Sequence, residues 1–199
     1  MTGEPSAALS PTKIVLGDAN VLYSRVLRDY LVYAAGQDVI SIRWSRAILD
    51  EVVRHLIDNV ATFTPKHGDL LIRLLNDAYP YAEVEITNQA RRKVQDFVLP
   101  DEDDRHVLAA AVAAQADILC TDNTSDFPPT IMAAVGIELL TADDLLARLV
   151  TAYPAKMLAV HRTSVASLKG ATDESTITAL HRAQATRTAD LMAALLNDS

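Results

Sequence analysis

Lys13-Ile14-Val15-Leu16-Gly17-Asp18 is the stretch on which the fold turns: an apolar run short enough for one buried strand ends on a carboxylate. After it, Ser24 to Ala35 carries apolar residues at helical spacing and Gly36 offers a stop, so a strand leads into a helix. The alternation then repeats. A second strand-like run, Val39 to Trp44, leads to Ser45, a good N-cap. Beyond it Ile48, Leu49, Val52, Val53, Leu56, Ile57 and Val60 fall on one helical face. A helix over His67 to Ala78, a strand over Ala82 to Ile86 and the basic segment Thr87 to Phe97 follow. An alanine-rich helix, capped by Asp101 or Asp103, runs to Gln115. Next come a strand over Asp117 to Thr121, a polar loop, a helix to Val135 and a strand over Ile137 to Leu140. The pattern predicts an α/β fold of three layers, with a mostly parallel sheet covered by helices on both faces.

From Ala142 onward the patterns are helical only. Ala142 to Thr151 finishes the α/β unit, Pro154 to Leu168 forms a helix, Lys169-Gly170 breaks it, and Asp173 opens a final helix. The expected organisation is a loose tail over residues 1–12, a main domain over 13–150 and a helical extension over 151–199. Within that extension Ile177, Leu180, Ala183, Leu191, Leu195 and Leu196 need a surface to cover.

Half of the 199 residues are hydrophobic, enough for a well-packed core without staples. Cys120 is the only cysteine, which excludes an internal disulfide and fits a reducing, cytoplasmic setting. No apolar stretch approaches the roughly 20 residues of a membrane span, and the first dozen residues lack the basic start and apolar stretch of an export signal. A net charge of −8 argues against broad, non-specific adhesion to nucleic acid and leaves a nuclease open. A local phosphate-binding rim is still available from Arg25, Arg28, Arg43, Arg46, Arg54 and the run Arg91-Arg92-Lys93, although each of these taken singly reads as a solvated helix face.

Four carboxylates, Asp18, Glu51, Asp104 and Asp122, sit where the pattern delivers an acid to one end of the sheet. Each has an ordinary explanation alone: Asp18 as a turn or cap, Glu51 as a solvated helix residue, Asp104 as a first-turn acid, Asp122 and Asp126 as loop caps. Asp101-Glu102-Asp103-Asp104 exceeds what capping requires, and like charges this close cost stability unless a cation is near. Oxygen-rich ligation selects magnesium or manganese. His55, His67, His106, His161 and His181 are scattered and one cysteine cannot build a thiolate site, which excludes the usual zinc sites. A glycine-rich phosphate cradle and a G-x-S-x-G elbow are both missing from the sequence.

Four segments together resemble the PIN-domain nucleases, and among them the VapC-type toxins of bacterial toxin-antitoxin systems. They are Val15-Leu16-Gly17-Asp18-Ala19-Asn20-Val21-Leu22, Trp44-Ser45-Arg46-Ala47-Ile48-Leu49-Asp50-Glu51, Leu99-Pro100-Asp101-Glu102-Asp103-Asp104-Arg105-His106-Val107-Leu108-Ala109-Ala110-Ala111 and Ile118-Leu119-Cys120-Thr121-Asp122-Asn123-Thr124-Ser125-Asp126-Phe127. The resemblance spans about residues 13 to 145 and implies a PIN-like α/β/α fold. It also implies metal-dependent hydrolysis of RNA, with Asp18, Glu51 and Asp104 as the core acids holding Mg2+, or Mn2+ as substitute. The fourth position falls in the Thr121 to Phe127 loop, where Asn123 matches most closely with Asp122 and Asp126 beside it. A cognate antitoxin and a homodimer are further implications. The alternatives are a structure-selective DNA nuclease on the same acidic scaffold and a non-catalytic PIN-like interaction module.

Overall fold

The structure, a computed structural model, describes residues 12–198, so the expected tail lies outside the described residues except for Thr12. The chain order is β1 (Lys13–Gly17), α1 (Ala19–Tyr23), α2 (Arg25–Gly36), β2 (Ile40–Ser45), α3 (Arg46–Asn59), α4 (Pro65–Ala78), β3 (Glu83–Val84) and α5 (Asn88–Val94). It continues with α6 (Arg105–Ala113), β4 (Ile118–Cys120), α7 (Pro129–Val135), β5 (Glu138–Leu140), α8 (Ala142–Ala152), α9 (Pro154–Ala166), α10 (Asp173–Arg182) and α11 (Thr186–Asn197). Short 3-10 turns lie at Glu102–Asp104 and Thr124–Asp126.

The sheet has the order β3-β2-β1-β4-β5, and every described pairing is parallel. All five strands therefore aim their carboxyl ends at one edge, which satisfies the three-layer α/β/α expectation. β1 sits in the centre because Val15-Leu16-Gly17 is buried on both faces, as a central parallel strand must be. The connections run outward from β1 in both directions, which opens a crevice at the carboxyl edge between β1 and β4.

Strand β3 is shorter than the expected Ala82 to Ile86, because it is an edge strand paired only through Glu83 and Val84 to β2. The expected final helix is two, α10 and α11. Between them Gln184 takes a left-handed φ of 62°, the Ala185 amide donates to the Leu180 carbonyl, and the Gln184 amide donates to His181. That is the helix-ending motif usually built on glycine. α6 stops at Ala113, two residues before the expected end, where Gln115 (φ 51°) turns the chain the same way, and Asp38 (φ 53°) does so after α2, beyond Gly36. α7 uses glycine for the purpose, at Gly136.

α9, α10 and α11 share one core with the rest of the described chain, through Met157, Val160, Leu180, Ala189 and Met192. Leu180 is buried and Ile177, Ala183 and Leu195 pack against that core, while Leu191 stays exposed. Polar contacts fix the docking. His161, on α9 and 0 % exposed, meets the Tyr30 hydroxyl of α2 through Nδ1 at 2.5 Å and Asp173 of α10 through Nε2 at 3.2 Å. On the other side Asp143 Oδ1 accepts from both the amide and the hydroxyl of Thr188 at 2.8 Å, joining α11 to the first turn of α8. Among the described residues no helix is long and apolar enough to cross a membrane.

Candidate active site

The site begins where β1 runs out. The Asp18 amide still donates to Cys120 of β4 at 3.0 Å, so Asp18 is the last rung of the ladder and faces the crevice edge. It then becomes the N-cap of α1: its Oδ1 accepts from the Ala19 amide at 2.6 Å, an end donor that α1 cannot satisfy internally. Its Oδ2 accepts from Thr121 Oγ1 at 2.8 Å and from Asn20 Nδ2 at 3.0 Å. Asp18 is only 5 % exposed. Burial raises its carboxyl above the ordinary range, the Thr121 hydroxyl and the Ala19 amide pull the other way, and the charge of Glu51 pushes it up again.

Thr121, the residue after β4, is the hub of this edge. Its hydroxyl donates to Asp18 and accepts from Asn20 Nδ2 at 2.9 Å and from the Asn123 amide at 3.1 Å. Neither Thr121 nor Asn20 was singled out from the sequence. The signal was available in the alternation itself, since parallel neighbours β1 and β4 must end side by side.

The four adjacent acids divide their work. Asp101 accepts from the Asp103 amide at 2.9 Å and caps the 3-10 turn. Glu102 accepts from Arg105 Nε at 2.9 Å. The Asp103 carbonyl takes His106 Nδ1 at 2.7 Å. Asp104 alone among them is turned to the site, at the mouth of α6, which as the connection preceding β4 starts at the carboxyl edge. The excess of acids over capping needs is thus partly absorbed by Arg105. That guanidinium also donates to the carbonyls of Val94, Gln95 (3.1 Å) and Phe97 (2.7 Å), clamping the end of α5 to the acidic turn.

Asp104 is pushed up to about 7, first by burial and then by the charges of Asp18, Asp126 and Asp101. Asn123 Nδ2 lies 3.5 Å from Asp104 Oδ2 and also donates to Asp126 Oδ2. The loop acid beside Asp104 is therefore Asp126. Asp122 faces elsewhere: its Oδ1 accepts from the Ala142 amide at the start of α8 at 3.0 Å, and its own amide donates to Asn20 Oδ1 at 3.2 Å. Of the residues expected from the sequence, Asp18, Glu51, Asp104 and Asn123 stand around the crevice, and the carboxylate of Asp122 is engaged by α8.

Glu51 reaches the site from α3, the helix that follows β2 and is capped by Ser45 Oγ on the Ile48 amide. Its carboxylate lies 3.6 Å from His106 Nε2 and 4.0 Å from both His55 Nε2 and Arg54 Nη2. Because a carbonyl can only accept, His106 Nδ1 carries the proton toward Asp103. In the neutral ring Nε2 is then a bare lone pair, buried and without a hydrogen-bond partner, aimed near a carboxylate. A proton or a metal cation would satisfy both atoms.

These donors suit an oxygen-preferring divalent ion: the charge of Asp18 raises the Asp104 carboxyl, that of Glu51 raises Asp18, and no Lys or Arg among the described residues pairs with either Asp. Asp18, Asp104 and Glu51 would hold it. As placed, no group of three His, Cys, Asp or Glu side chains among the described residues is drawn close enough to grip an ion.

The sheet order, the crevice at the carboxyl edge and the acids gathered there define an α/β/α protein with a carboxylate-lined site. A family model described as the PIN domain matches residues 13–125, more than half of the chain, and the protein belongs to the PIN-domain family. PIN domains are generally nucleases, hydrolases that typically use divalent metal ions. The match includes Asp18, Glu51, Asp104, Asp122 and Asn123 and stops just before Asp126. Comparison with curated proteins and with solved structures returned no match.

Proposed function

We propose that this chain is a Mg2+-dependent endoribonuclease, with Mn2+ as a working substitute, acting as the toxin of a VapC-type toxin-antitoxin pair. The observation that carries the proposal is Asp104 at the same crevice as buried Asp18: the charge of Asp18 raises the Asp104 carboxyl, and neither acid has a Lys or Arg partner among the described residues. Such an arrangement costs stability in the free chain and favours a divalent cation.

Asp18 and Asp104 would supply the metal's oxygen ligands, with Glu51 as the third carboxylate. A bound ion supplies an acidified water and offsets charge on the phosphate. The chain's own residues do the rest. Thr121 and Asn20 fix the Asp18 carboxylate in one orientation. Glu51, with His106 beside it, would hold the ion or orient the attacking water. Asn123 holds Asp126 against Asp104 and keeps the loop side of the crevice ordered.

The toxin reading rests on the four resembling segments. It gives the acidic site an inhibitor, a cognate antitoxin that inserts an Arg or Lys, and it gives the chain a second copy of itself as partner. Ile57, Val60, Leu70 and Leu74 on the α3–α4 pair remain exposed apolar side chains available for contacts of that kind. Cleavage of matched single-stranded RNA and DNA by the native chain tests the substrate: RNA is expected to be cut, and preferential cutting of DNA would overturn the ribonuclease assignment. Growth arrest on expression, absent with Asp104→Asn, tests the toxin role.

A further inference from the structure

A basic groove lies beside the acidic site and takes up two of the three cations of the Arg91-Arg92-Lys93 run. It lies between α5 and α6, has a volume of about 490 Å³, and is lined by Asn88, Arg91, Arg92, Arg105, His106 and Ala109 together with the acidic turn at Glu102 and Asp103. One wall thus includes His106, whose ring lies against Glu51, and the other is the basic helix. In a chain of net charge −8, this groove sets three arginines against two carboxylates, one of which, Glu102, is already paired with Arg105.

Arg91 and Arg92 are exposed, and their side chains make no ion pair or hydrogen bond among the described residues. Basic residues in a last turn often serve only to complement the helix end. Here that task belongs to another residue, because Arg105 already takes the carbonyls of Val94, Gln95 and Phe97. Two guanidiniums are therefore held free, next to the acid cluster, on a helix that does not need them for capping. The third cation of the run, Lys93, lines a different hollow with Gln115, Asp117 and Gly136, and so offers an internal control.

We propose that Arg91 and Arg92 form a phosphate-binding subsite that grips the backbone of a single-stranded nucleic acid as it leads into the acidic crevice. Guanidinium suits this task, since it stays charged and binds phosphate through paired donors. An acidic metal site repels the flanking phosphates of its own substrate, and a basic wall beside it offsets that repulsion. The substrate's identity as RNA rests on the function proposed above, whereas the subsite itself does not need cleavage to be tested.

Binding of a short labelled single-stranded RNA, and of DNA of the same sequence, would be measured by fluorescence anisotropy on the full chain carrying Asp104→Asn. Adding Arg91→Ala with Arg92→Ala should weaken binding about tenfold and reduce the salt slope by roughly 1.4, the loss of two phosphate contacts on a single strand. Lys93→Ala should leave both unchanged, and Arg91→Lys with Arg92→Lys should keep most of the slope. In the cleaving chain the double alanine variant should raise KM and leave kcat near the native value. Unchanged binding and slope in the double variant, or an equal loss with Lys93→Ala, would overturn the subsite. So would intact RNA binding accompanied by lost binding of a polyglutamate peptide, which would make the groove a protein-binding face. A native chain that cuts no RNA while retaining Arg91- and Arg92-dependent binding would sink the ribonuclease reading and uphold the groove. Cleavage with unaltered KM in the double variant would do the reverse.

Discussion

Thr121 Oγ1 stands 2.8 Å from Asp18 Oδ2 and donates its proton to that buried carboxylate, joining the ends of β1 and β4 across the crevice. The same oxygen accepts from Asn20 and from the Asn123 amide, so one hydroxyl orders three residues of the site. Thr121→Val keeps the shape and removes the hydrogen bonds. It should cost about 1 to 3 kcal/mol in urea unfolding, the range for losing a buried bond to a charged group, and should weaken divalent-ion binding by calorimetry. A variant as stable as the native chain would show that the hub is ornamental.

Asp104 gives a pH dependence with a definite sign. Its carboxyl is raised from an ordinary value of 3.8 to about 7, so in the metal-free chain its contribution to stability is complete below the ordinary value and is lost as pH rises through about 7. Asp104→Asn removes that loss. The variant should therefore melt higher than the metal-free native chain, with the gap widening between about pH 4 and pH 7 and then holding. Added Mg2+ or Mn2+ should close the gap from the native side only. Thermal melts at several pH values with chelator or metal check both statements, and a variant that unfolds would contradict them.

Arg105 is a clamp, and its removal should be felt in folding first. Arg105→Leu leaves the carbonyls of Val94, Gln95 and Phe97 without their donor and frees Glu102, which should cost about 2 kcal/mol or more. Arg105→Lys should not restore stability, because a single ammonium cannot span three carbonyls and a carboxylate. Chemical denaturation of the two variants decides the matter.

His161 sets the opposite pH trend. Burial holds its pKa below the ordinary 6.5, against the opposing pull of Asp173 and with a small further push from Arg162. Its contribution is present above 6.5 and is lost as pH falls below that value toward the folded one. His161→Leu should flatten this acid limb while costing about 1 to 3 kcal/mol, since the Tyr30 hydroxyl loses its buried partner. Melting curves of native and variant protein across mildly acidic pH would expose a wrong sign at once.

Much of the architecture was written in hydrophobic periodicity. The alternation of strand and helix led to a parallel sheet with Asp18 at its edge because buried central strands leave continuous apolar runs such as Ile14-Val15-Leu16. Helix ends were harder to read. Stops at Asp38, Gln115 and Gln184 use a left-handed residue other than glycine, so the break between α10 and α11 left no composition signal. At the site, local sequence could place acids near the edge and could not say which way each side chain turns. Asp126 rather than Asp122 meets Asp104 because a contact from α8, twenty residues downstream, holds Asp122. Likewise, that Glu102 belongs to Arg105 follows only from how α5 packs on α6.

The most direct test is cleavage of single-stranded RNA by the native chain and by Asp104→Asn, each with Mg2+, Mn2+ or chelator, with circular dichroism confirming the fold of both. The account predicts metal-dependent cleavage by the native chain, none with chelator, and loss of activity in the folded variant. Cleavage that survives chelation, or a variant as active as the native chain, would contradict it.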